Sequence, residues 1–205
     1  MCRVASKSFC KALLVIFAFG ILGGCTSVPP FKIIPTDDKF SDSSKQYGFL
    51  GAFNRLSKKS SQGGIHLDGK GVYLDPFVYK DRKTNEIIQI GFDVSHYNWS
   101  IDDGFRPIEE VIFLTDWKDR IVLKVKSFDS NFNIGTWNTI SREWNTSFNE
   151  KGAGVLSKAD FYRLAHAQYL EVKIVGRKKS QTYDKGEVLE SFVKNLRTFY
   201  DAHCK

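Results

Sequence analysis

The sequence predicts an α+β fold: an antiparallel β-sheet of about six or seven strands, with helices gathered on one side and the last of them C-terminal. Three observations predict it. Residues alternate in the middle of the chain, as in a sheet with one buried face: Ile88, Ile90, Phe92 and Val94 against Ile87, Gln89, Gly91 and Asp93. Short polar breaks at 81–85 and 116–119 separate such runs, and connections that short force antiparallel neighbours. Beyond residue 156 the apolar spacing changes to the helical period, with N-cap signals before it.

At the start of the chain, Arg3, Lys7 and Lys11 precede an apolar run over 12–22, followed by Gly23 and Gly24. A membrane-spanning helix needs roughly 20 apolar residues, whereas the core of a secretory signal needs about 7–15, so this order predicts a cleaved signal. The stretch Leu22-Gly23-Gly24-Cys25 resembles the lipobox of bacterial lipoproteins. The resemblance implies a diacylglyceryl thioether on Cys25, cleavage before it, and acylation of the freed amine as an open further step. A single acyl chain binds a bilayer marginally, at about 0.8 kcal/mol per buried CH₂, whereas two or three hold firmly. Thr26 rather than Asp follows the cysteine, which for a Gram-negative host resembles the signal for export to the outer membrane.

Residues 1–24 are thus expected to be a removed signal, 25–45 a lipidated cysteine with a tether, and 46–205 a single globular domain. Pro29, Pro30 and Pro35, with several Asp and Ser, give the tether its character, although Phe31, Ile33 and Ile34 suggest that part of it lies against the domain. Loss of three leader cations lowers the formal charge from +7 to +4, a weak argument for any anionic partner. Cys2 and Cys10 leave with the signal and Cys25 is committed to lipid, so Cys204 has no internal disulfide partner. Burial or a frayed end is the expected state of its thiol.

Within the domain, Phe49, Leu50, Phe53 and Leu56 fit one helical face, interrupted by Gly48 and Gly51, so 47–56 reads as a short helix or an irregular segment. Candidate strands follow at 65–67, 71–80, 86–95, 109–115, 119–128 and 134–148. Ser157 is placed to cap a helix running to about His166, with Leu156 and Phe161 at the hydrophobic-staple positions. A strand over 170–176 and a turn at 177–180 come next. Asp184 and Glu187 then read as the cap of a last helix, with Val188, Leu189, Phe192, Val193, Leu196, Phe199 and Tyr200 along one side. The sheet is open to curling into a half-barrel, and the rival architecture is a two-sheet β-sandwich.

No catalytic or metal motif stands out. The four histidines show no zinc spacing. His96, near Asp93 and Tyr97, is the best local combination for acid–base chemistry, but an exposed polar loop explains it better. Asp129-Ser130-Asn131-Phe132-Asn133 begins like a calcium loop, but Ile134 and Ile140 stand where Gly and Glu are required, so a polar turn is expected. Aromatic residues are the remaining feature. Trp117, beside Lys118 and Arg120, reads as an exposed hairpin tip, while Trp137 and Trp144, an odd number of residues apart, would face opposite sides of one strand. These five residues form the expected interaction surface.

The leading expectation is a non-enzymatic binding or envelope-assembly module anchored at the outer membrane, its domain periplasmic or surface-exposed. Behind it stand a glycan- or peptidoglycan-binding lipoprotein and an envelope hydrolase whose site joins distant residues such as His96 or His166. The expected partners are the membrane, through the lipid, and an envelope protein or cell-wall glycan. No cofactor, metal or nucleic acid is expected.

Overall fold

A computed structural model describes residues 29–36, 46–59, 69–98, 101–116, 118–139 and 143–205. The signal, Cys25, the candidate strand 65–67 and Trp117 lie outside the described residues. The fold is α+β, with two open antiparallel sheets and two α-helices among the described residues, one of them C-terminal.

The described strands are β1 (Lys32–Thr36), β2 (Gln46–Ala52), β3 (Gly71–Asp81), β4 (Ile87–Asn98), β5 (Ile108–Thr115), β6 (Arg120–Lys124), β7 (Lys126–Asn138), β8 (Glu143–Val155), β9 (Leu170–Gly176) and β10 (Ser180–Tyr183). Helix α1 (Lys158–His166) lies between β8 and β9, and helix α2 (Glu190–His203) closes the chain. One sheet has the order β1-β2-β3-β4-β8-β7 and the other β10-β9-β5-β6. The strands therefore exceed the expected number and divide between two sheets.

Both predicted hairpins form. Between β3 and β4, Asp81 Oδ1 accepts the backbone N–H groups of Lys83 at 2.8 Å and Thr84 at 3.0 Å, so one carboxylate organises the turn. Between β5 and β6, Lys118 takes a φ of 62°. The expected strand over 119–128 is broken at Val125, whose N–H goes to Glu109 O at 2.9 Å; there the chain leaves the four-stranded sheet and enters the six-stranded one. The expected strand over 134–148 is in fact parts of two strands, β7 and β8, paired as a hairpin and connected through residues 139–142.

The segment 47–56 is not a helix. Its first part is β2, paired with both β1 and β3, because two extended neighbours satisfy its backbone, which its glycine-interrupted helical stripe could not. Part of the stretch read as a tether is β1, and Phe31 and Ile33 pack against the core. Ser157 caps α1, its Oγ accepting the N–H of Asp160 at 3.0 Å. The second predicted cap differs. Asp184 and Glu187 close a turn, and α2 starts later, at Glu190, because Val188 bridges to Ser57 and Leu189 N donates to Leu56 O at 3.0 Å. That tertiary pairing holds residues 188 and 189 extended.

One core joins both sheets to both helices. Val72, Leu74, Ile90, Phe92 and Val94 face inward from the large sheet, and Val111, Phe113, Val172 and Ile174 from the small one. Phe92 lies 5.8 Å from Phe113 and 5.3 Å from Phe161 between ring centroids, so strand, strand and helix meet there. Of the predicted stripe, Phe192, Val193, Leu196, Phe199 and Tyr200 are buried on α2, while Val188, buried, and Leu189, partly so, precede the helix.

Candidate functional site

The feature that departs most from a closed domain is the far end of the β7–β8 hairpin. Strand β8 pairs with β4 only from Phe148 to Val155, and β7 is the edge of its sheet among the described residues. Beyond the pair Phe132 and Phe148, the two strands therefore continue as a free-standing ribbon through Ile134 opposite Thr146 and Trp137 opposite Trp144. A bulge between Ile134 and Trp137 adds one residue on β7. Because of it, Phe132, Ile134 and Trp137 face β8 positions that are two apart and share one side of the ribbon. Their exposures are 39%, 64% and 47%. Asn131 and Asn133 take the other side.

This arm is amphipathic, and its β7 strand carries no charge beyond Asp129, while Glu143 begins its β8 strand. No charged residue occurs between Asp129 and Arg142. Long edge strands are ordinarily protected by charges, proline or cover, since their open N–H and C=O groups invite pairing. Two-stranded ribbons are marginal alone, so an arm that exposes Phe132, Ile134 and part of Trp137 is a candidate contact surface.

The expected interaction residues separate into two places. Trp137 and Trp144 are brought into register across the hairpin, which corrects the expectation that they face opposite sides of one strand; they belong to two strands. Lys118 and Arg120 are exposed but sit on the β5–β6 turn, at the start of β6 and thus the other end of the β6–β7 run. That turn is tied to α1: Asp119 pairs with Arg163 at 3.1 Å, and Asp116 Oδ1 accepts the N–H of Gln168 at 3.1 Å. Phe132 and Ile134 were missed as interaction residues, although apolar side chains inside a charge-free run were a legible signal. The stretch 129–133, expected to be a polar turn, lies within β7.

His96 is another correction. It is fully buried on the inner side of β4, opposite Glu150 on β8, rather than in an exposed loop. Its Nδ1 lies 3.0 Å from Glu150 Oε2, and an ionised carboxylate only accepts, so Nδ1–H donates. Glu150 also accepts the N–H groups of Phe105 at 2.8 Å and Arg106 at 2.6 Å. Burial alone would raise this carboxyl; the three hydrogen bonds outweigh it and hold the group below its ordinary range. The cluster fastens the 105–106 loop to the sheet. His96 Nε2 is buried with no hydrogen-bond partner among the described residues.

His166 stacks on Tyr162 at 4.1 Å and meets the edge of Tyr200 at 5.2 Å. The open depression beside it, along α2, is lined by Glu190, Lys194, Arg197 and Asp201 among others. Arg197 is spent there on the carbonyls of Ala165 and Ala167. Among the described residues no group of three or more His, Cys, Asp or Glu could hold a metal ion.

A carboxylate pair occurs on the opposite face of the large sheet. Asp75 and Asp93 are register partners on β3 and β4. Burial pushes Asp75 up to about 6, against the N–H of Asn54 at 2.7 Å, which lowers it, and with Asp93 adding to the rise. Asp93 is likewise raised by burial. The chain matches no protein-family model, no curated protein and no solved structure.

Proposed function

We propose that the protein is a lipoprotein of the bacterial outer membrane, held by a lipid on Cys25, whose folded domain works as a non-enzymatic binding or assembly module of the envelope. The observation that carries the reading is the β7–β8 arm, which exposes Phe132, Ile134 and Trp137 on a charge-free edge. The cationic start, apolar run and Leu22-Gly23-Gly24-Cys25 supply the anchor. Of the two imidazoles considered for a dispersed hydrolytic site, His96 is sealed into the core and bound to Glu150, a structural use.

Growth with an alkyne-bearing fatty acid tests the anchor. The wild-type chain is expected to take up the label and to sediment with membranes, whereas Cys25→Ser loses the label and retains residues 1–24. Label persisting in Cys25→Ser would sink the assignment.

A further inference from the structure

The start of β1 and the arm lie at the same end of the large sheet. Strand β1 begins at Lys32, and each neighbour in the order β1-β2-β3-β4-β8-β7 is antiparallel to the last. The N-terminal end of β1 and the free end of the arm therefore lie at one end of the sheet. Lys32 pairs with Ala52, two residues past the pair Leu50 and Phe77, which puts it level with Asp75, Asp93 and Ala153. From Ala153 to Glu143 the strand advances about 33 Å at its usual rise. Cys25 and Lys32 are seven positions apart, which fully extended reaches at most about 25 Å. The short connection to Cys25 thus starts at the end of the sheet from which the arm extends.

We propose that the apolar side of the β7–β8 arm, Phe132, Ile134 and Trp137, seats in the headgroup and acyl boundary of the membrane that holds the Cys25 lipid. The inference rests on the anchoring reading above. A lipid surface fits the arm's chemistry. The stripe is free of charge, and an indole favours the interface where one end is apolar and the other wet. The open edge of β7 limits the depth, because its backbone N–H and C=O groups need water or headgroups. The arm therefore lies in the boundary, about 5–10 Å deep, and does not cross it. Two attachments, one covalent and one through the arm, fix the orientation of the domain.

The test uses full-length lipidated chain purified from cells and reconstituted in vesicles of phosphatidylethanolamine and phosphatidylglycerol. An environment-sensitive NBD label is placed at Ile134→Cys and, separately, at Asn133→Cys on the other side of the ribbon. Cys204 remaining unlabelled in both variants reports an intact fold. Expected are a blue-shifted emission at 134 and loss of most of its intensity to doxyl-bearing lipids, with 133 quenched by aqueous iodide instead. Substituting Trp137→Ser should weaken the lipid quenching at 134. Quenching of the 134 label by iodide alone overturns the proposal. So does a disulfide-linked dimer of the unlabelled Ile134→Cys variant, which would make a second copy the counterpart. The mass of the N-terminal peptide separates the two readings. A lipidated Cys25 with a water-exposed label fails this inference alone, and an unmodified Cys25 with a lipid-quenched label fails the anchoring reading alone.

Discussion

Asp75 accepts the N–H of Asn54, where the chain turns out of β2, and it does so while partly buried beside Asp93. Its folded value of about 6 lies above the ordinary 3.8, so the folded chain binds this proton more tightly than the unfolded chain. Stability from this group is therefore full below the lower value and is lost as pH rises through about 6. Asp75→Asn keeps the acceptor oxygen and removes the charge. Its melting temperature should exceed that of the wild type by about 2–8 °C at pH 7.5, with the gain vanishing below pH 4. Equal shifts at both pH values would contradict the assignment. Glu150 runs the other way: its carboxyl is held low by three donors, so what it contributes is lost as pH falls through its folded value. Neither environment was legible in the sequence. Asp75 and Asp93 lie on different strands, as do His96 and Glu150, and only sheet register brings them within reach.

At the scale of elements, the sheets can join because β6 crosses close over β8. A Cβ at Gly154 would lie 2.6 Å from both the Leu123 side chain and Lys124 O, and one at Gly91 would lie 1.9 Å from Gly154 O. Gly154→Ala should cost about 1–3 kcal/mol, as overpacking at a backbone contact does, read from the midpoint of urea unfolding. Gly186→Ala, with nothing within 4 Å, is the control and should stay within about 0.5 kcal/mol. Similar costs at both positions would show that the crossing is not tight. Alternation made β4 legible, and the serine cap located α1. The start of α2 and the nature of 47–56 were not legible, because pairing with distant strands overrode local capping and helical spacing.

For the molecule as a whole, helix α2 spans the shared core with Phe192, Leu196 and Phe199, and Cys204 sits at its end, fully buried. Burial pushes the thiol up to about 12, so it is protonated and inaccessible at neutral pH. An aromatic disulfide reagent should find no reactive thiol in native buffer. Labelling should rise with urea along the same curve as tryptophan fluorescence, as expected where both sheets and both helices unfold together. Rapid labelling without denaturant would mean that α2 frays from the core separately. The buried thiol also decides between the states expected for Cys204: it is a core residue, not a frayed end.

The sequence by itself determined the α+β class, the two tight hairpins and the buried stripe of the C-terminal helix. Each of these is written in neighbouring residues, as a period, a turn or a cap. Only the tertiary structure decided that the strands form two sheets, that His96 is sealed against Glu150, and that Phe132, Ile134 and Trp137 share one exposed side of an arm. Those outcomes depend on which strands pair, in what register, and where a bulge restores the face. Register is set by the sum of contacts across the whole sheet, so no local window of the chain contains it.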